Sequence, residues 1–87
     1  MSNYEEVCAN AALVVEKYIF TDNDKAAADM FDELKEAQNA VDVVWDTVTS
    51  RKARRVCRAV YHACLAARSD ERFTARVYVD EYWTNTL

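Results

Sequence analysis

The stretch KAAADMFDELKEAQNAVDVVWDTV, residues 25–48, decides the fold. Ala27, Met30, Phe31, Leu34, Ala37, Val41, Val44, Trp45 and Val48 recur in it at three- and four-residue steps. That period lines one side of an α-helix with apolar groups and leaves the other side to solvent. The spacing therefore predicts one long helix over 25–48. Gln38 interrupts the stripe, which marks Gln38-Asn39 as the place for a kink. Thr21-Asp22-Asn23-Asp24 ahead of it breaks one helix and caps the next.

Upstream, Tyr4, Val7, Cys8, Ala11, Val14, Val15 and Tyr18 share a face, predicting a helix from about Tyr4 to Phe20. Ser2 with Glu5 has capping-box spacing, and Asn3 is an equally good cap. Downstream, Thr49 or Ser50 caps a helix over 51–68 with the stripe Ala53, Val56, Cys57, Val60, Ala63, Cys64 and Ala67. These small side chains let a neighbouring helix approach closely. Ser69-Asp70 is read as another cap.

The tail from Glu71 to Trp83 carries two patterns. Phe73, Ala75, Val77 and Val79 alternate with polar residues like a strand, while Ala75, Tyr78, Val79 and Tyr82 match a helix. A lone strand would have to pair across a dimer, so a fourth helix is favoured.

Composition agrees with helices. The 87 residues contain neither glycine nor proline. Tight hairpins draw on glycine for positive φ, and turns draw on proline for rigidity, whereas helices can be capped by Ser, Thr, Asp and Asn. The expected fold is all-α: one domain over 1–87, a small bundle of three or four helices around an antiparallel central hairpin. A chain this short buries only about 60–65% of its unfolded surface. The first residues are polar and acidic, unlike a signal peptide, and the longest apolar run, Ala11 to Val15, falls far short of a membrane span. With an odd count of three cysteines, a reducing, cytoplasmic setting is expected.

Charge is unevenly spread. Residues 1–50 hold eleven acids and three lysines; residues 51–87 hold four acids and eight Lys or Arg. Arg51, Lys52, Arg54 and Arg55 crowd a helix N-terminus, the positive end of its dipole, where bases are disfavoured by about 0.3–1 kcal/mol each. Asp42 and Asp46 stand at the unfavourable end of the preceding helix. An antiparallel hairpin with a short turn brings Asp46 to Arg54 and Asp42 to Arg58, offsetting both penalties.

The other reading makes Arg51, Arg54, Arg55, Arg58 and His62 a docking stripe for an acidic protein face or for nucleic-acid phosphates. The net charge of −4 and the lack of a recognisable motif stand against nucleic acid. Asp29, Asp32, Glu33 and Glu36 form an acidic array. Such an array can imitate a phosphate backbone, as in phage-type proteins that block restriction or CRISPR machinery. That analogy rests on size, charge and helicity alone; a solvated helix face is the plainer account.

Catalytic signals are absent. Cys8, Cys57 and Cys64 lie on apolar stripes. Cys57 and Cys64 are separated by about 10.5 Å of helix, too far to bridge and wrong for a Cys-x-x-Cys metal pair. Buried thiols are expected, with a pairing of Cys8 to one of the others as the alternative. His62 points away from Cys57 and Cys64 on its helix, so it is read as a solvated or surface-contact residue. Without glycine, no phosphate-cradling loop can form. No enzyme, cofactor, metal or small-molecule substrate is expected.

Leu13, Phe20, Val43 and Leu65 fall on the polar sides of their helices, and Tyr78, Tyr82 and Trp83 add aromatic groups. These residues either close the bundle's own core or meet a partner, a second copy included. Leu13, Phe20, Tyr82 and Trp83 are the candidate apolar anchors. The expected function is a protein-binding module, a compact regulator or inhibitor of a larger protein or assembly.

Overall fold

Helices make up most of residues 4–86, the part of the chain that the computed structural model describes. The elements are α1 (Tyr4–Ile19), α2 (Asp24–Asp29), α3 (Phe31–Trp45), α4 (Arg51–Arg68) and α5 (Arg72–Thr86), with no strand among the described residues. The fold is an all-α bundle, and its C-terminal segment is a helix. The Ser2 and Asn3 caps lie outside the described residues.

Two local signals act where the sequence places them. The Asn23 side chain accepts from the N–H groups of Lys25 and Ala26 at 2.8 and 3.2 Å, starting α2. The Ser50 hydroxyl accepts from the Ala53 N–H at 3.1 Å, starting α4. Caps of this kind are worth about 1 kcal/mol.

The expected single rod over 25–48 is corrected in two places. The ladder breaks at Met30 and not at Gln38. The Met30 N–H closes a three-residue bond to the Ala27 carbonyl at 3.1 Å, and regular bonding resumes from Leu34 to Met30 at 2.9 Å. Ala27, Met30 and Leu34 are buried on both sides of the break, so the apolar stripe runs through it. The rod also stops at Trp45, three residues early. Thr47 and Val48 donate three-residue bonds back to Val44 and Trp45, tightening the end.

Gln38, the polar interruption, is buried, and its Oε1 accepts from the Arg68 guanidinium at 2.7 Å. It clamps α3 to the far end of α4 and does not bend the helix.

α4 lies at the centre, packed on α1, α3 and α5. Its buried face is mostly alanine, with Val56, Cys57, Val60 and Cys64, which permits that close approach. Tyr18, Leu34, Val15 and Val41 fill the space from the neighbouring helices.

The turn between α4 and α5 shows how a chain without glycine ends a helix. Asp70 takes φ 57°, the left-handed region. Its N–H bonds the Ala67 carbonyl at 3.0 Å, and the Glu71 N–H bonds the Ala66 carbonyl at 2.9 Å. This pair of bonds is a Schellman ending, usually built on glycine. The Asp70 carboxylate accepts from the Tyr18 hydroxyl, fixing the unusual residue to α1. Arg72, just beyond, sits 5.4 Å over the Tyr18 ring.

Candidate functional site

The basic stripe of α4 becomes a site because of the register between α3 and α4. Gln38 meets Arg68, and Trp45 meets Tyr61 with ring centroids 5.5 Å apart. A tight turn would instead set Asp42 opposite Arg58 and Asp46 opposite Arg54. Both observed contacts place the α4 partner six residues further along, a slide of about 9 Å. The expected Asp46–Arg54 and Asp42–Arg58 pairs do not form. Among the described residues, Lys17 with Glu33, at 3.8 Å, is the one ion pair within bonding range.

The first two turns of α4 therefore run on beyond the end of α3. Arg51, Arg54, Arg55 and Arg58 are exposed there, and their side chains make no hydrogen bond or ion pair to any described residue. With Trp45 and Thr49 they line a cleft of about 610 Å³. The N-terminus of α4 adds the positive end of its dipole to the same place. Four guanidinium groups at this end repel one another and oppose the dipole, so the arrangement favours a bound anion.

The indole Nε1 of Trp45 is buried and lacks a hydrogen-bond partner among the described residues. In sequence, Trp45 belongs to the core stripe and Thr49 is a cap candidate, so neither is expected in the cleft. The available signal was position: Trp45 stands just before the cap that restarts the chain, where one helix can stop while its neighbour continues.

His62 leaves the stripe. Its ring is half-buried, stacked on Tyr78 at 5.3 Å and edge-on to Tyr61 at 5.8 Å, so it bridges α4 and α5 in place of standing in solvent. The acidic candidates Asp29, Asp32, Glu33 and Glu36 are all exposed, but the break at Met30 divides the first from the others, and Glu33 lies against Lys17.

The apolar candidates separate. Leu13 is 56% exposed and Phe20 70%, as their phase on α1 requires. Val43 and Leu65 are exposed too, so none of these four closes the bundle's core. Tyr82 is only 2% exposed and belongs to that core, which removes it as a contact anchor; Trp83 is half-buried against it at 4.9 Å. Phe73 and Val77, not singled out from the sequence, are exposed on α5.

Cys8 and Cys57 face each other inside the core with sulfurs 3.7 Å apart, and all three thiols are free and buried. Burial raises the pKa of each above its ordinary value, that of Cys64 to about 12. At neutral pH they are protonated and poor nucleophiles. No group of three or more His, Cys, Asp or Glu side chains assembles among the described residues in a way that could hold a metal ion. No helix there is long and apolar enough to cross a membrane. Comparisons with known protein families, with curated proteins and with solved structures find no match to this chain.

Proposed function

We propose that this chain is a non-catalytic binding protein, a small regulator or inhibitor that docks on a larger protein through the arginine groove. One observation carries the reading: Arg51, Arg54, Arg55 and Arg58 gather on one exposed helix end with no carboxylate among the described residues within ion-pair distance. Keeping like charges together at the wrong end of a dipole disfavours the fold slightly. An acidic partner face would offset that penalty and steer association electrostatically. The three buried free thiols suit a reducing compartment, which supports a cytoplasmic setting. The acidic array gains less support, because the Met30 break crosses it.

The rival reading, nucleic-acid binding by the same arginines, gives a different salt signature. Binding to mixed-sequence DNA and RNA is measured across a salt series for wild type and for Arg54→Glu with Arg58→Glu. Our reading predicts no binding even at low salt. Tight binding with a steep salt slope, abolished by the double change, overturns it. Sedimentation adds a check on Leu13, Phe20, Phe73 and Val77: a monomer leaves them to a different partner, and a concentration-dependent dimer assigns them to a second copy.

A further inference from the structure

α5 carries a row of side chains that the bundle does not use. Phe73 is 79% exposed and Val77 48%, one turn apart on the side opposite buried Ala75, Val79 and Tyr82. Arg76 and Asp80 are exposed along the same row, also one turn apart. Their side chains pair neither with each other nor with any described residue. Half-buried Trp83, edge-on to Tyr82, stands at the far end.

The order of these groups is self-complementary. Phe73 and Trp83 stand five residues to either side of position 78, and Arg76 and Asp80 stand two to either side. A second α5 laid antiparallel on the first, with a two-fold axis at the level of residue 78, brings each residue to the one equally far beyond that level. Phe73 then meets Trp83 of the second copy, and Arg76 meets its Asp80, both contacts occurring twice. Val77 comes within about 3 Å of its twin along the helix axis. One register thus sets aromatic against aromatic, cation against anion and apolar against apolar. A parallel pairing would set Arg76 on Arg76 and Asp80 on Asp80, and like charges facing each other are penalised.

We infer that the outer face of α5 is an interface between two copies of this chain, joined antiparallel about residue 78. Charge selects this occupant. An acidic partner would answer Arg76 and repel Asp80, and a basic one the reverse, whereas a second copy offers both signs in the order required. No residue of α5 lines the arginine groove, so the pairing leaves that groove open. The inference therefore stands apart from the docking reading, and it adds that one assembly presents two grooves.

Sedimentation of the full chain over a concentration series, under reducing conditions, tests it. The variants are Phe73→Ser, Arg76→Asp, Asp80→Arg, the double exchange Arg76→Asp with Asp80→Arg, and Val43→Ser as a control on exposed α3. Circular dichroism confirms that each folds. Wild type and Val43→Ser should form a dimer, and Phe73→Ser should stay monomeric. Either single reversal should weaken dimerisation about tenfold or more, because two exposed ion pairs become like-charge contacts at once. The double exchange should recover it, and so should an equal mixture of the two single variants, each of which supplies the charges the other lacks. A wild type that is monomeric throughout overturns the inference. So does a dimer that ignores Phe73→Ser, or one that loses to neither reversal, or one that the double exchange fails to restore. None of these outcomes touches the docking reading, which the salt series on Arg54 and Arg58 decides.

Discussion

At the end of the bundle where α1 gives way to α2, cations have partners within the chain. Arg68 donates to buried Gln38, Arg72 covers the Tyr18 ring, and Lys17 lies against Glu33. Tyr18 in turn donates to Asp70, the residue that closes α4. At the opposite end, the side chains of four arginines and one indole N–H have no such partners among the described residues. The same residue types thus serve structure at one end and remain free at the other. The cause is a register in which α3 stops short while α4 continues. If this contrast is right, perturbing the first end disturbs stability, and perturbing the second disturbs binding alone.

The largest effect is expected from alkali. Burial, reinforced by the bond to Asp70, pushes Tyr18 up to about 12; burial does the same to Tyr82, and raises all three thiols above their ordinary 9.0. In each case the folded chain holds its proton more tightly than the unfolded chain. Their stabilisation is therefore complete below about pH 9 and lost progressively as pH rises toward 12. Urea denaturation at stepped pH should show stability falling through that window, with a smaller fall for Tyr18→Phe. A flat profile would mean that these groups are not buried as described.

Tyr18→Ala comes next. It removes a buried ring, the acceptor face for Arg72 and the tie to Asp70, and should lower stability by about 3–5 kcal/mol, a range typical of buried aromatic groups. Denaturant midpoints check this, and a loss below about 1 kcal/mol would show the two ends to be alike. Gln38→Ala should cost less, about 1.5–3 kcal/mol, the usual worth of a hydrogen bond to a charged group. If Arg68→Ala loses as much and the two changes together lose no more than either, the clamp is confirmed as one interaction.

How far these differences can be read from sequence follows from their range along the chain. The limits of α4 were legible because Ser50 and the stripe from Ala53 to Ala67 act locally. The helicity of α5 was nearly masked. Phe73, Ala75, Val77 and Val79 alternate, but Ala75 and Val79 turn inward while Phe73 and Val77 turn outward, two sets each spaced by four. The break at Met30 was hidden because a single three-residue closure barely shifts the phase of the stripe. The groove was half legible. Its arginines and their conflict with the dipole are sequence facts, but their freedom depends on a slide of about 9 Å between two helices. That slide is set by Trp45 against Tyr61 and Gln38 against Arg68, contacts distant in sequence. The turn length alone pointed to the wrong partners.

The most direct measurement is the urea stability of Arg54→Glu with Arg58→Glu beside wild type at neutral pH. If these arginines are surplus to the fold, the double variant is as stable as wild type within about 0.5 kcal/mol, or slightly more stable. A loss well above 1 kcal/mol would contradict the account, because it would show that the two guanidinium groups meet carboxylates within the bundle.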